Sequence, residues 1–169
     1  IHFNKSAGTL VDRFDGKQNN TVTVYDAAYS IEALRIFQRA IDALPVGYGS
    51  ADGAKSLNSA QGKEALMIIK AQADYLINNA KTSNGLYANK VDLKSGASMK
   101  KSLGTQFAVV RGLTAAYLAV KDDKYRNEAR ALMVAIEKNL YNKEIGTYVD
   151  ASRTYSPYTI AATSGGLRD

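Results

Sequence analysis

The residues able to do chemistry in this sequence are four aspartates and five tyrosines. Asp12, Asp15, Asp26 and Asp150 lie in or beside the segments between helical stretches, and so do Tyr25, Tyr87, Tyr148, Tyr155 and Tyr158. Arg13, Asp92 and Glu144 share those segments. Carboxylates serve glycosyl chemistry as acid, base or nucleophile, and a tyrosine gives a sugar a flat apolar face with a polar edge. Several of these residues also have a plainer role. Asp26 stands where a helix N-cap is wanted. Tyr87 and Tyr148 each close a Gly-x-Tyr and are placed to pin a turn against a helix. Asp150 and Glu144 read as solvated loop charges, whereas Asp12 and Asp15 have no regular structure to explain them.

Composition removes other chemistries. There is no cysteine, hence no disulfide, thiolate nucleophile or cysteine metal site. The single histidine, His2, sits at the terminus, which argues against a histidine-built metal centre or a Ser-His-Asp triad. Gly165-Gly166 lacks the Lys-Ser/Thr of a phosphate loop, and no nucleic-acid motif of recognised spacing is present. No metal or cofactor is expected, and nucleic acid is not an expected partner. The net charge of +6 favours an anionic partner such as an acidic polysaccharide, although the basic residues are scattered in the manner of a solvated surface.

With 46% hydrophobic and 22% charged residues the composition is that of a globular chain, and 169 residues suit a single domain, 1–169. No uninterrupted apolar run approaches ~18 residues, so no membrane span is expected. Ile1 is not an initiator, which suggests a removed leader or a processed piece. Together with the missing cysteines and the many Tyr, Asn, Ser and Thr, this points to a secreted, periplasmic or cell-surface setting.

The elements that must position these residues are helices. Gly104 to Val120 is apolar nearly all round, with Phe107, Val109, Val110, Leu113, Tyr117 and Leu118, and must be covered on several sides. Lys124 to Tyr141 is one-sided: Tyr125, Ala129, Leu132, Ile136 and Leu140 form one stripe. Asp122 and Asp123 stand at its N-cap, so the two segments form an antiparallel αα-hairpin. Gln106 and Arg111 interrupt the apolar helix, as a satisfied buried hydrogen-bonding pair or a partner surface. Upstream, residues 1–25 read as non-helical, with the β-branched run Thr21 to Tyr25 as one short strand or the whole as an extended arm laid across the helices. Asp26 then caps a helix to Leu44, with Ala27, Ile31, Leu34, Ile41 and Leu44 inward. A loop over 45–58 and an outer helix from Ser59 to Ala80 follow. A last helix starts at Ser156-Pro157. Gly85-Leu86-Tyr87 and Gly146-Thr147-Tyr148 each follow an outer helix, which marks an imperfect internal repeat.

"RGLTAAYLAVKDDKYRNEARALMVAIEKNLYNKEIGTYVD" is similar to the hairpins of six-hairpin glycosidase-like proteins, the α/α-toroid enzymes that process polysaccharides, and "TVYDAAYSIEALRIF" resembles the "VYD-x-A" opening of one of their inner helices. The resemblance implies an all-α fold of antiparallel αα-hairpins in a partial α/α-toroid-like array. It also implies that the loops entering the inner helices, which carry the aspartates and tyrosines above, line a substrate mouth. It carries no catalytic residue over to a position here. A complete toroid needs about twelve helices and this sequence shows about five, so the apolar inner-helix surfaces are expected to be covered by another protein chain or by residues outside this one. Two functions follow. One is a carbohydrate-associated domain of an exported protein, with glycoside hydrolase or lyase chemistry. The other is a non-catalytic structural or docking module packed against another chain.

Overall fold

The computed structural model describes residues 2–11, 13–14, 17–18, 20–43, 60–98 and 100–150. Asp12, Asp15, Tyr155, Tyr158 and the helix expected from Ser156 lie outside the described residues.

Among the described residues four helices make the body: α1 (Val24–Ala43), α2 (Ala60–Tyr75), α3 (Leu103–Val120) and α4 (Asp123–Leu140). The last turn of α2 widens into a π-helical stretch, Leu76–Ala80, so the outer helix ends where the spacing places it. The α3–α4 hairpin forms as its sequence dictates. Ser102 caps α3, its hydroxyl accepting from the Thr105 N–H. Lys121 turns the chain in a left-handed conformation at φ 62°, and the Asp122 carboxylate accepts from the Lys124 N–H to start α4. The one-sided stripe of α4 is buried at Tyr125, Ala129, Leu132, Ile136 and Leu140.

The helices form two layers. In the inner layer α1 and α3 run side by side in the same direction: Tyr25 meets Gly104 at one end, and Arg39 meets Leu118 at the other. In the outer layer α2 and α4 are also parallel, joined by Lys124–Asp74 (2.8 Å) and Lys81–Glu128 (2.6 Å). Since α3 and α4 are antiparallel, the layers run in opposite senses. Ala28, Ile31, Ile69, Leu76, Phe107, Leu113, Leu132 and Ile136 fill the space between them. α3 is long and apolar enough, by length and composition, to cross a membrane, because its few polar residues are dispersed. Its burial, 56% within the molecule, is that of a core helix.

Short strands replace the extended arm expected over 1–25. β1 (His2–Asn4) pairs with β2 (Thr9–Val11), and β3 (Arg13–Phe14) with β4 (Lys17–Gln18). β5 (Thr21–Thr23) pairs antiparallel with β6 (Lys90–Asp92), which pairs with β7 (Gly96–Ala97). The lead-in to α1 is thus bonded to the lead-in to α3. β8 (Tyr141–Asn142) and β9 (Thr147–Tyr148) close the turn after α4. The helix begins at Val24, immediately after β5, so Asp26 sits within its first turn and is not the N-cap; a carboxylate there still favours the helix dipole.

The two Gly-x-Tyr turns are structural equivalents. Gly85 and Gly146 both take positive φ, 82° and 66°. Tyr87 bridges to Lys81 just past α2, and Tyr148 pairs with Tyr141 just past α4. The following residues repeat the match, with Ala88 N–H donating to Ala80 and Val149 N–H to Leu140. The repeat is real in three dimensions.

Leu132 is 1% exposed, so Leu132→Ala is expected to cost about 2–5 kcal/mol. A urea melt showing less than about 0.5 kcal/mol would place Leu132 on the wrong face. At the α1–α3 crossing, a β-carbon on Gly112 would lie 2.7 Å from the Ala28 carbonyl oxygen. Gly112→Ala is therefore expected to destabilise by about 1–3 kcal/mol despite the better helix propensity of alanine. Equal or higher stability in the same melt would show that the helices part freely.

Candidate functional site

On the face of α1 and α3 turned away from the outer helices runs a groove. Its α1 wall is a stripe at helical spacing, Tyr25, Tyr29, Glu32, Ile36 and Arg39, with Arg35 beside it. Its α3 wall is Gly104, Phe107, Ala108, Arg111, Ala115 and Leu118. Glu32 and Arg111 form an ion pair across the middle, both half-buried. That pair borders two compartments. The smaller, about 70 Å³, is aromatic, with Tyr25, Tyr29 and Phe107. The larger, about 550 Å³, holds Arg35, Arg39, Thr114 and Leu118 and is within the usual range for small-molecule sites.

Of the sequence candidates among the described residues, the groove takes only Tyr25. Tyr87 is buried and its phenol is pushed well above the usual tyrosine range, first by that burial and then by the nearby Glu128 charge. Its backbone is read by Gln106: the side-chain oxygen accepts from the Tyr87 N–H (2.7 Å), and the Nε2 donates to the Tyr87 carbonyl (2.8 Å) and the Ser102 carbonyl (3.1 Å). Gln106 is thus a satisfied buried group, as one of its two sequence readings has it. Tyr148 donates to Glu137 and sets its ring edge against Phe107 (5.9 Å) and Tyr141 (5.2 Å). The Glu137 carboxylate, with some burial, pushes its phenol up to about 12. Both tyrosines hold turns.

Asp150 accepts from the Leu103 N–H at the start of α3 (3.3 Å), tying the second turn back to the inner helix. It shares with Glu144, Tyr141 and Lys143 a cleft of about 330 Å³ beyond the end of α4. Asp92 folds its own turn, accepting from the N–H groups of Ser95 (2.8 Å) and Lys94 (2.9 Å), and these bonds hold its carboxyl below the usual range. The structure thus brings Asp150 and Glu144 together and leaves Asp26 and Asp92 elsewhere. No group of three or more His, Cys, Asp or Glu able to hold a metal occurs among the described residues. Tyr29, Glu32, Arg35 and Arg39 were missed in the sequence because a polar stripe opposite a core stripe reads as a solvated helix face. The signal was the tyrosines and arginines spaced along it.

No protein-family model matches the sequence, and neither does any curated protein. Several solved structures share the architecture. A sugar epimerase from a ruminal bacterium superposes with a TM-score of 0.65 at 18% identity, over 98% of this chain and 43% of its own. The cellobiose 2-epimerase of Bacillus thermoamylovorans B4167 gives 0.64 at 14% identity, over 99% and 43%. A D-mannose isomerase gives 0.57 at 17%, over 80% and 31%. The fold is a partial α/α toroid. The chain spans less than half the length of these toroids. Within that architecture α1 and α3 are the inner helices, and the groove lies on their inner side.

Removing the Gln106 amide would leave two buried backbone groups of the Tyr87 turn unpaired. Gln106→Leu is expected to lower stability by about 2–5 kcal/mol, at about 1–3 kcal/mol for each orphaned group. Hydrogen exchange should show the Tyr87 N–H losing protection first; unchanged protection there would remove the clamp from the account.

Proposed function

We propose that this chain is a carbohydrate-binding α/α-hairpin array whose sugar lies in the groove between α1 and α3. The observation that carries the reading is the pairing of an aromatic compartment, Tyr25, Tyr29 and Phe107, with a half-buried carboxylate–guanidinium pair, Glu32–Arg111. Aromatic rings accept the apolar face of a pyranose, and an acceptor beside a fork of donors matches adjacent hydroxyls. The three toroids named above are a sugar epimerase, a cellobiose 2-epimerase and a D-mannose isomerase, which supports a sugar over another small ligand.

Glycoside hydrolysis would need a second carboxylate at about 5–10 Å from the first. Among the described residues lining the groove Glu32 is the single carboxylate, and it is held by Arg111. Within the groove, hydrolysis therefore needs a further carboxylate, for which Asp12 and Asp15 are the sequence candidates, while Asp150 and Glu144 share a separate cleft beyond α4. Binding is the function these side chains support by themselves, and an exported setting, where polysaccharides are met, goes with it.

Tyr29 is 57% exposed, so its removal leaves the core intact. Tyr29→Ala is expected to weaken oligosaccharide binding about tenfold, in line with the loss of one stacking contact, with an unchanged melting temperature. Calorimetry over a panel of neutral and acidic oligosaccharides measures this. Failure to bind any of them would end the carbohydrate reading.

A second reading, an assembly surface, is favoured by the exposure of Ile36 (59%), Phe37 (44%) and Leu118 (43%). In it, further hairpins or another chain cover part of the inner layer and complete the ring. Sedimentation at high micromolar concentration would show self-association; a monodisperse monomer would count against it.

A further inference from the structure

We infer that the larger compartment of the groove takes a carboxylated sugar, a uronate residue, held by Arg35 and Arg39 beyond the Glu32–Arg111 pair. This rests on the sugar-binding reading and adds the class of sugar. The compartment is lined by three arginines and one carboxylate. That carboxylate is engaged by Arg111, and among the described residues neither Arg35 nor Arg39 has an ion-pair partner. The two are spaced i, i+4 on α1, so their side chains project from one face one turn apart. Arg35 is half-buried, and its Nε is shut off from water without a hydrogen-bond partner.

Arginine, with its planar fork, is the side chain suited to a planar carboxylate, which it binds through two parallel charge-assisted bonds. Ile36 and Leu118 flank the arginines and give the rim of the compartment an apolar edge. The aromatic compartment on the other side of the ion pair is about 70 Å³, too small for another ring in full. A uronate seated among the arginines therefore ends at the Glu32–Arg111 pair, and a neighbouring sugar of the same oligosaccharide sets its edge against Tyr29 at the exposed rim of the smaller compartment.

The test is calorimetry on the full chain with a galacturonate oligosaccharide and a neutral oligosaccharide of equal length. Inorganic phosphate and sulfate serve as anions without a sugar. The uronate is expected to bind about tenfold or more tightly than the neutral sugar, and to lose that margin as salt is raised. The double substitution Arg35→Gln and Arg39→Gln should bring uronate affinity down to the neutral level without a shift in melting temperature. Arg35→Lys with Arg39→Lys, which keeps the charge and loses the fork, should restore only part of it. Equal binding of neutral and acidic sugars would overturn the uronate assignment and leave the sugar-binding reading standing. No binding of either would remove both. Phosphate or sulfate competing as well as the uronate itself would show a bare anion site and overturn the assignment. If the glutamine variant unfolds, the lysine variant and the neutral-sugar control still decide the question.

Discussion

Where α1 and α3 cross, Gly112 lies against the Ala28 carbonyl so closely that even a methyl group would not fit, its β-carbon falling 2.7 Å from that oxygen. The distance between the inner helices is set there, by backbone meeting backbone. One turn from this contact Glu32 and Arg111 face each other across the seam, and a wider separation would part them. The groove on one side and the packed layer of Ile31, Ile69 and Leu113 on the other both take their dimensions from that approach. The outer helices then add their apolar stripes to an inner pair whose geometry is already fixed.

Much of this was legible in the sequence because the signals are local. A segment apolar all round followed by a one-sided segment specifies an inner and an outer helix, and Asp122 marks the boundary between them within two residues. Gln106, isolated among apolar neighbours, could be read as a satisfied buried amide, and its partner is the backbone of Tyr87. The strands were harder. β5 and β6 are three residues each and pair across a long stretch of chain, so neither carries a pattern of its own. The β-branched run from Thr21 does form a strand, but the helix takes over at Val24. A valine and a tyrosine of high strand propensity are helical there because the core accepts Val24 from that side.

The site was less legible, for a different reason. Loop aspartates attract attention because nothing else explains them, yet those described here have structural tasks: Asp150 holds the first amide of α3, and Asp92 closes its own turn. Tyr87 and Tyr148 are turn anchors on equivalent positions of a repeat. The groove is built instead from helix positions, and those show their character only when a second helix lies beside them. Tyr29 or Arg39 alone is an exposed residue on an amphipathic helix. Opposite Ala108 and Leu118 they are the wall of a cleft.

The pairing of β5 with β6 also fixes an order of events. Thr21 is bonded to Asp92 and Thr23 to Lys90, so the entrance to the first inner helix is clasped by residues made much later in the chain. On a ribosome adding about 5–20 residues per second, the first hairpin must wait several seconds for its clasp. Through that interval the inner face of α1 has neither strand nor sister helix against it. A nascent chain of this design is most exposed to wrong partners just before its second hairpin emerges.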